Sequence, residues 1–349
     1  MPTATIDSKG TQFFYTDSGP VPGSSDYTTL VIYHGSAFTG DTFHKLLPLG
    51  AKDNVRLVIL NRRDYAGSSK YTDAELDDLN AARKTALERI ALDVANFLVW
   101  FVDTQHPPPA SADGKTGGLA LMGWSLGNAT PLALFAHPEV VPKETYAKLE
   151  PYVRLLILYD PPFLTFGHDQ PPDVYSPFTD PAFKTPQEIF DNFQYWVSGY
   201  YDHPDLGSRT VRGMDFSKRG KDASAGHFTP KEMAKNYDGL AAARTEAPMI
   251  FNMKNVLRQQ AQRALFDEEM ARTILPRTKV VHQYCTRTNW FCAYGFIETE
   301  RQYKEQLAQG KKVRPIAFQE IKEANHFVHW DDPERFWKAT AEAIHGNVH

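Results

Sequence analysis

The chain has 349 residues, of which 42% are hydrophobic and 23% are charged, and its formal net charge is −4. The length allows one large domain or two smaller ones, and the composition is ordinary for a soluble globular protein. The absence of a block of like charge argues against nucleic-acid binding, and no stretch approaches the roughly 18 apolar residues of a membrane span. Because residues 1–7 have no basic start and no apolar core, we expect no secretory signal and a cytoplasmic location.

Strand-like and helix-like segments alternate along most of the chain. Residues 4–7 and 11–15 are typical of an antiparallel hairpin. A single helix is predicted over residues 77–104, where apolar side chains recur at helical spacing. Strands that alternate with helices indicate a parallel sheet with helices on both faces. Six further apolar runs have the character of buried strands: residues 29–33, 55–60, 118–122, 153–159, 278–284 and 316–321.

The alternation stops between Pro161 and Pro276. More than a hundred residues there carry helix signals and loop punctuation without a convincing buried strand, which predicts a cap inserted over the strand ends. Most aromatic side chains of this segment are expected to form the core of the cap, and a few to line an apolar substrate pocket. The segment could also supply a dimer contact. Its aromatic residues include Phe163, Phe166, Tyr175, Phe178, Phe190, Phe193, Tyr195, Trp196, Tyr200 and Tyr201.

The segment Gly123-Trp124-Ser125-Leu126-Gly127 is a G-x-S-x-G motif. A strand-like run precedes it and a helix-compatible run, residues 129–136, follows it. Strand, sharp turn and helix form the context of a nucleophile elbow, in which a strained turn lifts the serine hydroxyl off the sheet. The alternative is a turn of small residues with a solvated serine.

A nucleophilic serine needs a base, and twelve histidines are present. We favour His326, because it follows the last strand-like run and precedes a closing helix predicted at residues 333–344. This order places His326 on a loop at the edge of the sheet where the elbow opens. His329 is the less favoured alternative. His227 precedes Thr229-Pro230-Lys231-Glu232, a typical helix start, and is expected in the cap.

The acid of the site is predicted to be Asp160. It ends the strand-like run next to that of the nucleophile, and the order Ser125, Asp160, His326 is the order Ser, acid, His. Asp160 could instead be a carboxylate that caps a turn. An alternative position after the next strand holds Asn289, which cannot supply a negative charge. Asp331 and Asp332 are predicted to form the N-cap of the last helix.

An acyl-transfer site also needs N–H donors aimed at the developing oxyanion. One is predicted to be the backbone N–H of Leu126, which follows the nucleophile. The other is predicted at Ser36, in the segment His34-Gly35-Ser36 that follows an earlier strand. A simple strand-ending turn is the alternative for His34-Gly35.

The two cysteines, Cys285 and Cys292, are expected to be reduced thiols in an intracellular protein. Their seven-residue spacing does not resemble a metal-binding pattern, and no second Cys/His pair accompanies them. A catalytic cysteine is the less favoured interpretation. We therefore predict neither a metal site nor a cofactor.

With these motifs in this order, the sequence resembles the α/β-hydrolase fold family. The resemblance implies an eight-stranded, mostly parallel sheet with a mainly helical cap inserted after the sixth strand. The core would comprise residues 1–162 and 276–349, and the cap residues 163–275. It also implies a Ser-acid-His triad that includes Ser125 and His326. Five segments carry the resemblance: residues 34–36, 61–69, 123–127, 158–162 and 325–330.

The sequence departs from the commonest family pattern in the position of the acid. Most members carry it after the seventh strand, where this chain has Asn289, whereas some place it after the sixth, as Asp160 would be. Serine rather than aspartate at position 125 argues against an epoxide hydrolase or a haloalkane dehalogenase.

These observations predict a cofactor-independent serine hydrolase that cleaves a small or medium, largely apolar or aromatic ester or lactone through an acyl-enzyme. The same constellation could cleave C–C bonds, transfer acyl groups, or catalyse lyase or cyclase steps. An alternative of another class is a non-catalytic ligand-binding protein, which Asn289 would favour. The residues predicted to contact substrate are His34, Trp124, Phe163, Trp196 and Trp290.

Overall fold

The computed structural model describes residues 2–348, and an eight-stranded sheet forms its centre. The strands lie in the order β1-β2-β4-β3-β5-β6-β7-β8, with β1 and β2 antiparallel to their neighbours and all other pairs parallel. The predicted eight-stranded, mostly parallel sheet is confirmed. The strands are β1 (Thr3–Thr5), β2 (Gln12–Asp17), β3 (Thr28–Tyr33), β4 (Val55–Leu60), β5 (Leu119–Trp124), β6 (Val153–Tyr159), β7 (Lys279–Cys285) and β8 (Ile316–Ile321).

The central strands are continuous apolar runs because both faces of the sheet are covered. Val31 and Tyr33 of β3 pack into one apolar cluster together with Leu87, whereas Leu30 and Ile32 pack into a second cluster on the opposite face. Strands β4, β6 and β8 have the bounds expected from the sequence, β3 begins one residue earlier than expected, and the other strands differ by one or two residues at each end.

Within residues 2–348, seven α-helices outside the segment between β6 and β7 accompany the sheet. Those at 129–136 and 333–344 have the predicted bounds. The last helix is capped by Asp332 alone, since Asp331 instead accepts hydrogen bonds from Tyr200 and Ser224. The helices are α1 (Asp73–Asn80), α2 (Lys84–Gln105), α3 (Ala129–Ala136), α4 (Lys143–Leu149), α10 (Trp290–Ala308), α11 (Val328–Asp331) and α12 (Pro333–Ile344).

The single helix predicted over residues 77–104 is wrong, because the chain forms two helices there. Helix α1 ends at Asn80 and α2 begins at Lys84. Between them Ala82 adopts a left-handed φ of 51°, a conformation that ends helices. The side chains that carried the apolar periodicity, from Leu87 to Phe101, all lie in α2, so the periodicity gave no information about residues 77–83.

The segment between β6 and β7, residues 160–278 and hereafter the insertion, carries five helices. Within these described residues no strand is present, as the sequence predicted. Thr185 and Thr229 start α5 and α6 with capping boxes, and the predicted helix start at Thr229 is confirmed. That residues 163–275 form a separate cap domain stays a prediction. The helices are α5 (Pro186–Val197), α6 (Pro230–Asn236), α7 (Gly239–Asn252), α8 (Lys254–Ala261) and α9 (Glu268–Thr273).

Among residues 2–348, none of the helices combines the length and the apolar character that crossing a bilayer requires.

Helix α2 buries a carboxylate against the sheet. Asp93 is 7% exposed, and its nearest cation is Arg63, 3.6 Å away. Burial raises the pKa of Asp93 from 3.8 to about 7. A folded-state pKa above the unfolded value means that the folded protein binds this proton more tightly. The protonated Asp93 side chain therefore makes its full contribution to folding stability below about pH 4. That contribution is lost as the pH rises through 7.

Asp93→Asn is therefore expected to stabilise the protein at about pH 8, by at most about 4 kcal/mol for a pKa shift of this size. Thermal unfolding of both proteins from about pH 4 to pH 8 measures the effect, and their difference should vanish at the acidic end. Asp103→Asn is the matched control, because Asp103 lies on the same helix but is exposed and pairs with Lys148. A difference that does not depend on pH would contradict the prediction.

Candidate active site

Ser125 directly follows β5 and begins a sharp turn that leads into α3. Its φ of 57° lies in the left-handed region, which costs about 1–3 kcal/mol and is found where function requires it. The glycines on either side are needed for close approach: a Cβ on Gly123 would lie 2.4 Å from the Cα of Asn128, and one on Gly127 would lie 2.0 Å from the carbonyl oxygen of His34. The geometry is that of a nucleophile elbow.

Asn128 fixes this turn from within. Its side-chain amide donates to the carbonyl oxygens of Ser125 at 2.7 Å and of Tyr159 at 3.1 Å, which links the elbow to the end of β6. The sequence reasoning missed Asn128, although its place three residues after the serine is a usable signal.

Asp160 lies at the end of β6 and is fully buried. One carboxylate oxygen accepts the Cys285 N–H at 3.0 Å, and the other accepts the Thr288 hydroxyl and the His326 Nδ1–H, both at 2.6 Å. The structure thus joins two of the predicted catalytic residues, which lie 166 positions apart. Asn289 has a different place: it is the N-cap of α10 and accepts the Phe291 N–H.

His326 is 1% exposed and its backbone is held in place. Its carbonyl oxygen accepts the Trp124 indole N–H at 3.1 Å and the Tyr159 hydroxyl at 3.2 Å. With Nδ1–H donated to Asp160, Nε2 is left as an acceptor, and no residue in 2–348 bonds to it. The Ser125 hydroxyl is thus not yet bonded to His326, and such catalytic bonds often form only with substrate present.

The two alternative histidines lie elsewhere. His329 is fully buried, stacks on Phe43 and contacts the Tyr159 hydroxyl at 3.0 Å; burial holds the pKa of His329 well below its usual value. His227 is exposed at the start of α6 and pairs with Asp222. Among the histidines of residues 2–348, only His326 forms a hydrogen bond with Asp160.

The loop after β3 passes close to the nucleophile. A Cβ on Gly35 would lie 2.8 Å from the Cβ of Ser125. No residue in the described chain accepts a hydrogen bond from the Ser36 N–H, and the Leu126 N–H lies in the first turn of a helical segment, where amides have no intrahelical acceptor. Both amides thus stay candidates for the predicted oxyanion donors.

A small cavity of about 20 Å³ lies above Ser125, Ser36 and Leu126. Of the five predicted substrate contacts, only Trp196 lines it. No charged side chain is among the lining residues, so the cavity suits an apolar group. The remaining lining residues are Pro162, Leu164, Phe178, Phe193, Val197, Ile250, Asn289, Phe291 and Cys292.

The other four predicted substrate contacts do not line this cavity, each makes contacts within the protein, and their role at the substrate stays a prediction. The Trp124 indole lies behind His326, to whose carbonyl oxygen it donates. Phe163 and Trp290 stack on each other at 5.3 Å, and the Trp290 N–H donates to a backbone carbonyl oxygen. His34 contacts the Gly35 carbonyl oxygen and accepts an N–H through its other ring nitrogen.

The family model described as "Alpha/beta hydrolase family" matches residues 30–339. The chain belongs to the alpha/beta hydrolase family. This confirms the resemblance inferred from the sequence, and membership supports hydrolase activity. No curated protein sequence matches the chain significantly.

Solved structures of this fold align along nearly the whole chain. An esterase from Exiguobacterium antarcticum shares 14% identity at a TM-score of 0.50, and covers 99% of this chain and 99% of its own. Epoxide hydrolase A from Mycobacterium thermoresistibile shares 14% at 0.51, with 99% and 98% covered. A bromoperoxidase from Bacillus anthracis shares 10% at 0.52, with 98% and 99% covered. Such identities show the shared fold alone.

One buried glutamate of the insertion holds the loop that carries Ser36. Glu246, in α7, is 1% exposed and pairs with the Arg62 guanidinium at 2.7 Å and the Tyr65 hydroxyl at 2.5 Å. Arg62 also donates to the Gly35 carbonyl oxygen at 2.8 Å, and the Tyr65 oxygen accepts the Ala37 N–H at 2.9 Å. Through Arg62 and Tyr65, Glu246 therefore holds the backbone on both sides of Ser36, at Gly35 and at Ala37.

Glu246→Gln is expected to lower kcat for hydrolysis by about tenfold to a hundredfold with little change in KM, because displacement of the predicted oxyanion donor at Ser36 by a fraction of an ångström would weaken its stabilisation of the transition state. Glu246 does not line the cavity, so ground-state binding is not affected directly. Steady-state kinetics, at a temperature where the variant is fully folded, measures kcat and KM separately.

Glu269→Gln is the control for this substitution, since Glu269 is an exposed glutamate of the same insertion. Tyr65→Phe should lower kcat in the same direction, and the double variant should lose less than the product of the two effects because both act through one loop. Unchanged kcat in folded Glu246→Gln would contradict the positioning role.

Proposed function

We propose that the protein is a cofactor-independent serine hydrolase that cleaves a small or medium, largely apolar or aromatic ester or lactone through an acyl-enzyme. The observation that carries the proposal is the 2.6 Å contact between Asp160 and His326, in a chain whose Ser125 lies on a nucleophile elbow and lines a cavity. Family membership supports the hydrolytic class of the reaction.

In the proposed reaction the Ser125 hydroxyl attacks the substrate carbonyl carbon. His326 Nε2, free to accept, takes the hydroxyl proton, and the resulting imidazolium is stabilised by the Asp160 carboxylate at Nδ1. His326 then gives the proton to the leaving alkoxide. The same base activates a water that hydrolyses the acyl-enzyme, so each proton transfer is carried by residues of this chain.

The negative charge that develops on the carbonyl oxygen would be bound by the N–H groups of Ser36 and Leu126. Donors that already lack partners need no reorganisation when the charge forms, which is the source of their contribution to catalysis. The Ser36 hydroxyl is also buried without a partner and lines the same cavity, so it can add a third donor.

The cavity limits the substrate. Its volume of about 20 Å³ is far below the roughly 300–1,000 Å³ of ligand pockets, so a substrate can bind only if the lining side chains move apart. Aromatic side chains form much of its wall, among them Phe178, Phe193 and Trp196. These dimensions favour a short acyl chain or a single aromatic ring over a long-chain lipid.

Labelling with a fluorophosphonate, followed by intact-mass and peptide mass spectrometry, tests the proposal. We expect one adduct, on Ser125, and hydrolysis of nitrophenyl esters that is faster for short or aromatic acyl groups than for long chains. Incorporation of oxygen from labelled water into the acid product would distinguish hydrolysis from transfer or lyase chemistry. Failure to form the adduct, together with tight binding of a small molecule without turnover, would favour a ligand-binding protein instead.

A further inference from the structure

A thiol lies within the proposed catalytic group and is not needed by the reaction. Cys292, in the first turn of α10, is buried, lines the cavity above Ser125, and has its Sγ 3.5 Å from His326 Nδ1. One carboxylate oxygen of Asp160, Cys292 Sγ and His326 Nδ1 all lie within 4.8 Å of one another. An oxygen, a sulfur and an imidazole nitrogen therefore converge on one point.

We infer that Asp160, Cys292 and His326 form an inhibitory binding site for a thiophilic divalent cation, with Zn²⁺ as the ion of best fit. This ion takes Cys, His and carboxylate ligands in tetrahedral geometry. Its usual bond lengths require ligand separations of about 3.3 Å for O–N and about 3.6 Å for S–N. The S–N separation of 3.5 Å already matches, and the Asp160–His326 contact of 2.6 Å has to widen.

Charge balance supports a doubly charged cation. Binding would release the Cys292 thiol proton to solvent and move the His326 proton from Nδ1 to Nε2, which leaves a thiolate, a neutral imidazole and a carboxylate with a summed charge of −2. A divalent ion neutralises this group, and a neutral assembly is what a fully buried site tolerates. The Cys285 N–H and the Thr288 hydroxyl hold the carboxylate of Asp160 from behind, as outer-shell partners of metal ligands do.

The expected consequence is inhibition, and this part rests on the proposed function. A cation on Nδ1 takes the place of the Asp160 contact and withdraws electron density from the imidazole. Because the proton of His326 then lies on Nε2, this nitrogen can no longer accept the Ser125 proton. Because Cys292 borders the cavity, the cation reaches the thiol through the space that the substrate would occupy.

Binding is tested with Cd²⁺, a spectroscopic probe for the same ligands. Titration of the metal-free full chain is expected to produce an ultraviolet thiolate-to-cadmium charge-transfer band that saturates at one ion per chain. Zn²⁺ added afterwards should remove it. Cys292→Ser should abolish the band, whereas Cys285→Ser should keep it, because Cys285 is equally buried but not part of the group. Circular dichroism and thermal unfolding of each variant check that it is folded.

Inhibition is tested by the rate of fluorophosphonate labelling with and without Zn²⁺. At about ten times the Kd, roughly a tenth of the protein stays free, so labelling of wild type should slow about tenfold. The ratio of the two rates should be near unity in Cys292→Ser and unchanged from wild type in Cys285→Ser.

The outcomes separate the two proposals. Absence of the band in wild type, or its persistence in folded Cys292→Ser, would overturn the cation site whatever the activity. A band without slower labelling would overturn its inhibitory role. A wild type that is never labelled would defeat the proposed function, while the cadmium titration would still decide the site.

Discussion

Replacement of Ser125 by alanine is expected to lower kcat for ester hydrolysis by about 10⁴- to 10⁶-fold, the range seen when a triad nucleophile is removed. Only one other residue that lines the cavity, Ser36, carries a hydroxyl group. Ser36 lies on the loop after β3 and not on a nucleophile elbow. The variant should also lose the fluorophosphonate adduct. Thermal unfolding should change little, because alanine adopts the same left-handed φ with no larger side chain.

Ser36→Ala is the matched control for that experiment. It removes the other serine hydroxyl of the cavity but keeps the backbone N–H, which is the proposed oxyanion donor. We therefore expect a loss much smaller than that of Ser125→Ala, at most the roughly 10²- to 10³-fold of one oxyanion donor. Near-normal kcat in Ser125→Ala, measured on a preparation free of wild type, would contradict the assignment of the nucleophile.

Asp160→Asn is expected to lower kcat by about 10⁴-fold, as loss of the triad carboxylate does elsewhere. An amide carries no negative charge to stabilise the His326 imidazolium. Its NH₂ group would also face at least one of the three donors that the carboxylate now accepts, from Cys285, Thr288 and His326. His326 would then lose its orientation. Single-turnover labelling and steady-state kinetics both report the loss.

Asn289→Asp, alone and combined with Asp160→Asn, tests the alternative position of the acid. Position 289 caps α10 and accepts the Phe291 N–H, so an aspartate there is expected to stay at the cap and to restore no activity. Recovery of kcat in the double variant would show that the acid can act after the seventh strand. It would weaken the assignment of Asp160, which rests on its contact with His326.

Much of this protein could be predicted from its sequence because the relevant signals are local. Continuous apolar runs identified the buried strands, and the elbow motif placed Ser125 between one of them and a helix. Parallel strands bring their carboxyl ends to one edge, so residues that directly follow strands, such as Asp160 and Ser36, were expected to lie near Ser125. His326 was selected by the same reasoning, as the histidine between the last strand and the closing helix.

Only the tertiary structure decided which side chains that are distant in the sequence contact one another. Aromatic composition predicted an apolar pocket but not that Trp196 would line it while Phe163 and Trp290 stack on each other. The pairing of Glu246 with Arg62 has no local sequence signal. Nor does the approach of Cys292 to His326, which lie 34 positions apart. These contacts depend on how helices pack on the sheet, and periodicity along the sequence carries no information about such distant partners.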